Sequence, residues 1–95
     1  MARPQLLDQT SDQPAFGGQP RRLYWVERQD DGWFIRFDGE DFGPYKSERE
    51  ALLFAVDAAK KLGEQGEETQ VLVMDETGDV RPAWTFRQDP YPPRL

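Results

Sequence analysis

Residues 47–63 are SEREALLFAVDAAKKLG, and this stretch decides the fold because it has both a clear period and a signal at each end. Ser47 and Glu50 have the spacing of a capping box, in which the Ser side chain accepts a hydrogen bond from the amide of Glu50 and the Glu carboxylate reaches back to the amide of Ser47. Acidic residues in the first turn and lysines in the last turn place stabilising charges at the two ends of the helix dipole. Gly63 is placed to form a left-handed C-terminal cap, since a residue without Cβ adopts positive φ without steric cost. The sequence therefore predicts one amphipathic helix over residues 47–63.

One stripe of this helix consists mostly of alanine. At about 100° per residue the side chains that share the stripe are Ala51, Ala55, Ala58, Ala59 and Leu62, with Leu52 at its margin and Phe54 and Val56 at its flanks. Small side chains allow a helix to approach a sheet closely, so the strands beneath it must supply the bulk of the core as aromatic residues. We therefore expect the helix to pack on an aromatic-rich sheet.

The segments on either side of the helix have the alternation and turn boundaries of strands. They cover residues 23–28, 33–37, 41–45, 69–74 and 80–87. Pro44 and Pro82 confine the third and fifth strands to sheet edges, because proline cannot donate a hydrogen bond to the ladder. Residues 71–74 are apolar on both sides, which favours a central position for the fourth strand. The predicted fold class is α+β: an antiparallel sheet of about five strands, in the order β-β-β-α-β-β, with one helix packed on one face.

The strand alternation and the helical stripe together predict the core. The side chains expected to meet between helix and sheet are Trp25, Trp33, Ile35, Leu52, Ala55, Ala59, Leu62, Val71, Val73 and Trp84.

Composition divides the chain into three parts. Residues 1–20 are rich in Gln, Pro, Gly, Asp and Ser without any period, which predicts a disordered leader. Residues 21–89 are expected to form a single α+β domain, since a chain of 95 residues has room for one core. Residues 90–95 are a proline-rich C-terminal tail, expected to be extended because proline fixes φ.

Several kinds of functional site are excluded or disfavoured by residue content. The chain has no Cys and no His, so it has neither a thiolate nor an imidazole for metal binding or catalysis. Its acidic clusters lie in predicted turns, where carboxylates commonly make local hydrogen bonds, so we expect no metal site and no cofactor. The sequence has no apolar run of signal-peptide or membrane-spanning length, and its net charge is −6. We expect an acidic cytoplasmic protein without a membrane partner.

Short motifs along residues 23–93 carry a family resemblance. In chain order they are Trp25-Val26, Asp31-Gly32-Trp33, Lys46-Ser47-Glu48, Glu50-Ala51, the run from Val71 to Val73, Gly78, and Asp89-Pro90-Tyr91-Pro92-Pro93. With these motifs the chain resembles the bacterial domain-of-unknown-function family 2188. The resemblance implies a small uncharacterised bacterial protein with an α+β fold, and it brings no known activity or catalytic residue. The chain departs from the family in its longer leader and in the sequence FGPY at residues 42–45.

The aromatic residues are too numerous for an alanine-rich helix to cover, so some must lie on the far face of the sheet. Alternation places Tyr24, Phe34 and Arg36 on that face, and Tyr91 could join them if the tail folds back. Tyr and Arg are enriched at protein interfaces. The sequence therefore predicts a non-enzymatic protein-interaction module that binds an unknown protein partner or forms a homodimer through this surface or an edge strand.

Two alternatives remain open. Aromatic and basic side chains on one face are also used to bind single-stranded nucleic acid, and Arg28, Arg81 and Arg87 could contribute to such a face. The net negative charge disfavours that partner, because it repels phosphate. An enzyme is the second alternative, for which the sequence offers no catalytic residue set.

Overall fold

The structure, a computed structural model, describes residues 21–95, so the predicted leader over residues 1–20 lies outside the described residues. The elements are strands β1 (Arg22–Gln29), β2 (Gly32–Phe37) and β3 (Glu40–Tyr45), helix α1 (Glu48–Glu64), and strands β4 (Thr69–Met74) and β5 (Val80–Thr85). One five-stranded sheet carries one helix, which confirms the predicted α+β fold and the order of its elements.

The strands lie in the order β3-β2-β1-β4-β5, so β4 is an inner strand and β3 and β5 are the edges, as predicted. The sheet is mostly antiparallel, as predicted, and β1 and β4 form its one parallel pair. The physical reason is the helical connection. β1, β2 and β3 form an antiparallel meander, and α1 then returns the chain across the sheet, so that β4 starts at the same end as β1.

The core lies between α1 and one face of the sheet. Its buried apolar side chains are Tyr24, Val26, Ile35, Ala51, Leu52, Ala55, Val56, Ala59, Val71, Val73 and Trp84. The predicted core is confirmed at Ile35, Leu52, Ala55, Ala59, Val71, Val73 and Trp84.

Three predicted core residues lie elsewhere. Trp33 and Leu62 are half-buried at the border of the core. Trp25 was predicted to be buried, and this is wrong, because it pairs with the exposed Arg36 on the face opposite the helix. Val56, expected only to flank the stripe, is fully buried. Small and β-branched side chains therefore fill the space under the centre of the helix, where the alanines bring the two backbones close together.

The helix begins as the capping box predicts. The Ser47 side chain accepts a hydrogen bond from the amide of Glu50 at 3.1 Å. The Glu50 carboxylate accepts from the amide of Lys46 at 2.7 Å, one residue earlier than the expected amide of Ser47. Both bonds satisfy backbone groups near the helix start, so the first turn is fixed from two sides.

The predicted role of Gly63 as a left-handed cap is wrong. The helix continues to Glu64, and it is Gly66 that has a positive φ of 106°. Gly63 is buried within the last turn, where a Cβ would lie 2.5 Å from the ring of Phe86. A glycine is needed there because the aromatic ring packs directly on the helix backbone.

Candidate interaction surface: the open face of the sheet

One face of the sheet points away from α1, and the strand pairing shows which residues lie on it. Trp25 pairs with Arg36 on β2 and with Leu72 on β4. Directly paired residues share a face of the sheet. The open face, as we call this surface, consists of Leu23, Trp25, Glu27, Phe34, Arg36, Asp41, Gln70, Leu72, Met74, Val80 and Pro82.

Trp25 lies at the middle of the open face, because β1 is the central strand of the five. Its direct neighbours are Arg36 and Leu72. Phe34 and Met74 lie diagonally to it, on either side of Glu27, and the four apolar side chains are only half-buried. The Phe34 ring lies close to Gly43 of β3, where an added Cβ would be 3.1 Å from it. Within residues 21–95 the helix packs on the opposite face, and so do the tail contacts described below. The open face is therefore an apolar surface that no element of the described chain covers.

Ionic contacts join β1, β2 and β3 at one side of the open face. Arg36 Nε donates to Asp41 Oδ1 at 2.9 Å, and Arg36 Nη1 lies 3.6 Å from Glu27 Oε2. The bond from Arg36 lowers the pKa of the Asp41 carboxyl, and the same bond, with the charge of Glu27, raises the pKa of Arg36. Arg36 is thus held in one orientation beside Phe34 with its charge balanced by two carboxylates.

The predicted surface residues do not form one surface. Phe34 and Arg36 lie on the open face as expected. Tyr24 does not, because it is 7% exposed under the helix, stacked on Phe37 with ring centroids 4.0 Å apart. Its burial raises the pKa of the Tyr24 hydroxyl. Tyr91 is exposed, but it contacts Asp57 on α1.

Trp25, Leu72 and Met74 were missed as surface residues, and a signal for Trp25 was present in the hairpin. Gln29 pairs with Gly32 across the two-residue turn of β1 and β2. That register places Val26 opposite Ile35 and therefore Trp25 opposite Arg36. In this register, burial of Ile35 and exposure of Arg36 require that Trp25 lies on the exposed face as well.

The C-terminal tail folds back along the helix side of the molecule. The indole Nε1 of Trp84 donates to the carbonyl of Pro90 at 2.9 Å, and the backbone N–H of Thr85 donates to Asp89 Oδ2 at 2.8 Å. The Tyr91 hydroxyl donates to Asp57 Oδ1 at 2.9 Å, and Lys60 Nζ lies 4.7 Å from the centre of the Tyr91 ring. The tail is therefore docked by specific contacts and leaves the open face uncovered.

The arginines considered for nucleic-acid binding are distributed around the molecule. Arg28 pairs with Glu76 at 3.4 Å, and Arg81 pairs with Glu48 at 2.9 Å, near the start of α1. Arg87 lies over the ring of Phe86. Of the arginines named with this partner in mind, only Arg36 belongs to the open face.

Residues 21–95 contain no group of three or more side chains that could hold a metal ion. They also contain no helix long and apolar enough to cross a membrane.

Comparison with protein-family models, with curated proteins and with solved structures returned no match to this chain. The resemblance to family 2188 therefore stays a prediction.

Proposed function

We propose that the protein is a non-enzymatic protein-interaction module that acts through the open face, and that a second copy of the chain is its partner. The observation that carries the proposal is the half-buried cluster of Trp25, Phe34, Leu72 and Met74, which no element of residues 21–95 covers. Aromatic residues and methionine are enriched in the buried centres of interfaces. A contiguous apolar patch on one side of a small domain commonly marks such a contact.

A second copy fits this surface in shape. A pleated sheet presents a broad and nearly flat face, and the geometry that buries such a face well is another sheet packed at about 10 Å. The open face of an identical chain offers the required sheet. Two copies related by a twofold axis would each contribute the same residues to the contact.

A second copy also fits in charge. The open face carries Arg36 together with Glu27 and Asp41, so it presents both signs next to the apolar cluster. Two such faces can meet without placing only like charges opposite each other. A strongly basic partner would be repelled by Arg36. A nucleic acid would be repelled by Glu27 and Asp41.

The size of the face sets the expected strength. With strands about 4.8 Å apart and residues about 3.3 Å apart, five strands of six residues span about 20 Å by about 20 Å, or about 400 Å² for each copy. This is about half of the roughly 800 Å² per partner in a standard interface. The dimer should therefore be weak and reversible, with dissociation on the order of micromolar concentrations or above.

The balanced charge of Arg36 weakens the alternative of single-stranded nucleic-acid binding. Stacking platforms for nucleic acid need free cations near the aromatic rings to neutralise phosphate. On the open face the one arginine already pairs with two carboxylates.

Solution mass measured over a range of protein concentrations tests the proposal. Sedimentation equilibrium of the full chain should show the mass rising from 11.0 kDa toward twice that value as the concentration increases. The double variant Phe34→Ala/Arg36→Ala should stay monomeric with an unchanged helix signal in circular dichroism. Leu53→Ala/Lys61→Ala is the matched control, because it removes one apolar and one cationic side chain from exposed positions of α1. A wild-type chain that stays monomeric throughout, or a control that also abolishes association, would contradict the proposal.

A further inference from the structure

The C-terminal tail occupies a groove between α1 and β5 that has the features of a peptide-binding site. The groove residues that contact the tail come from two elements: Asp57 and Lys60 from α1, and Trp84 and Thr85 from β5. We call this set the tail groove. It lies on the opposite side of the sheet from the open face, so the inference does not rest on the proposed function.

The tail groove contains a buried donor that only the tail satisfies among the described contacts. Trp84 is 2% exposed, and its indole N–H donates to the carbonyl of Pro90. A buried donor without an acceptor is unfavourable, because it loses its bond to water without replacement. A chain segment with a carbonyl at this position is therefore required, whether it comes from the same chain or from another one.

The other contacts of the tail groove differ from one tail residue to the next, so each tail position is recognised by different chemistry. The backbone N–H of Thr85 binds the carboxylate of Asp89. The Tyr91 ring meets Trp84 edge to face at 6.5 Å and lies beneath the Lys60 ammonium. Its hydroxyl binds Asp57. The groove thus recognises a carboxylate, a carbonyl and a hydroxylated ring on three successive residues, which is the sequence Asp-Pro-Tyr.

The docking of a proline-flanked segment on an aromatic side chain follows a known mode of peptide recognition. Proline-rich segments lose little conformational freedom on binding, and they dock in aromatic-lined grooves. Trp84 supplies an aromatic side chain of this kind, and its indole N–H donates to the carbonyl of Pro90. The contact is also superficial, since the Tyr91 side chain remains 46% exposed.

The connection between β5 and the tail is a short turn under backbone strain. Asp89 N donates to the carbonyl of Thr85, which closes the turn, and Arg87 within it has φ of 75°. A non-glycine residue in this region is unfavourable and is relieved when the turn opens. Short strained connections of this kind favour exchange of a terminal segment between identical chains.

From these observations we infer that the tail groove is a binding site for Asp-Pro-Tyr segments, and that its partner beyond the chain's own tail is the tail of a second copy. The chain's own tail competes for the groove at the high effective concentration of a short tether. Occupation by a second copy therefore grows when the tethered contact is weakened.

A labelled peptide of residues 87–95, RQDPYPPRL, tests this inference on the full chain by fluorescence anisotropy. The variant Tyr91→Ala should bind the peptide at least tenfold more tightly than the wild type, because its own tail no longer competes effectively. Tyr91→Phe, which loses only the bond to Asp57, should give an intermediate value. The control is a peptide with alanine in place of tyrosine, which should not bind.

A second variant identifies the groove. Adding Asp57→Asn to Tyr91→Ala should weaken peptide binding again, since the acceptor for the tyrosine hydroxyl becomes poorer. Circular dichroism checks that each variant keeps its helix. The inference is overturned if folded Tyr91→Ala shows no saturable binding, if it binds both peptides equally, or if Asp57→Asn leaves its affinity unchanged. Because the peptide measurement does not involve the open face, its failure would leave the proposed dimer intact, and the reverse also holds.

Discussion

The two faces of the sheet are built from the same strands, and successive residues along each strand belong to opposite faces. On β1, Tyr24 and Val26 are buried under the helix, whereas their neighbour Trp25 lies on the open face. On β4, Val71 and Val73 are buried and Leu72 is not. The face under the helix, which we call the covered face, is apolar at these positions, whereas the open face places Glu27 and Arg36 among its apolar side chains.

What separates the faces is fit to the helix. The alanines of α1 let its backbone come close to the sheet, and side chains of the size of valine fill the remaining space. An indole at the centre of that layer would push the helix away. The larger rings of Tyr24 and Trp84 are accommodated where they stack on Phe37 and pack against the tail. Close approach of the helix therefore favours small residues directly below its alanines and places the larger rings toward the border of the same layer.

The largest expected effect comes from replacing adjacent residues on the two faces. Tyr24→Ala should lower the free energy of unfolding by about 3–5 kcal/mol, because it removes a buried ring and leaves a cavity beneath the helix. Trp25→Ala should cost much less, since part of that ring already contacts water. Urea denaturation at a protein concentration low enough to keep the chain monomeric measures both. Equal losses would show that the two faces are not energetically distinct.

A smaller effect is expected at the contact that closes the covered face at its far end. Gly63→Ala should lower stability by about 1–3 kcal/mol, because the new Cβ would clash with the Phe86 ring. The sign is informative, since alanine in a helix is otherwise better than glycine by about 1 kcal/mol. Thermal unfolding followed at 222 nm measures the change.

The double variant Gly63→Ala/Phe86→Ala is the control for this contact. If the clash is the cause, removing the ring should recover the helix preference for alanine, so the two substitutions should be strongly non-additive. Additive losses would place the origin of the effect elsewhere.

The sequence predicts the elements well because each carries its own local signal. The capping box located the start of α1, and Pro44 and Pro82 located the edge strands. The end of the helix was misplaced because glycine has two uses, a left-handed cap and a close contact, and only the distant Phe86 ring decides between them at Gly63. Long-range partners of this kind leave no mark near the residue they affect.

The candidate site was predicted only in part for the same reason. Phe34 and Arg36 were placed correctly because alternation within one strand orients them relative to Ile35. Tyr24 and Trp25 were exchanged between faces because β1 is apolar on both sides, and only its pairing with β2 assigns them. The parallel pairing of β1 with β4 depends on the helical connection, which the pattern of an isolated strand does not specify.

The helix start offers a milder test of whether the faces can be perturbed separately. Ser47→Ala should lower the free energy of unfolding by about 1 kcal/mol, since it removes the acceptor for the amide of Glu50. Ser47→Asp should keep the stability, because its carboxylate can accept the same bond. Association through the open face should be the same in both variants. A change in association would show that the helix and the open face are coupled.

The smallest expected effect concerns the tail, which closes the covered face without burying much surface. The hydrogen bond to Asp57 raises the pKa of Tyr91 above its ordinary value of 10.0, and the bonds from Tyr91 and Lys61 lower the pKa of Asp57 below 3.8. A raised pKa on a tyrosine means that docking is favoured by the protonated hydroxyl, so this contribution is complete below pH 10.0 and is lost as the pH rises through the docked-state value. A lowered pKa on a carboxyl has the opposite sense, so the contribution of Asp57 is complete above pH 3.8 and is lost as the pH falls through its docked-state value.

Tyr91 ring resonances should therefore keep their docked positions between these limits and move toward free-peptide positions outside them, with circular dichroism showing that the domain stays folded. Tyr91→Phe lacks the hydroxyl and should lose the alkaline transition of the tail, as followed by the shift of the Trp84 indole N–H, whereas Tyr45→Phe should keep it. An alkaline transition that survives unchanged in Tyr91→Phe would mean that another group controls the docking of the tail.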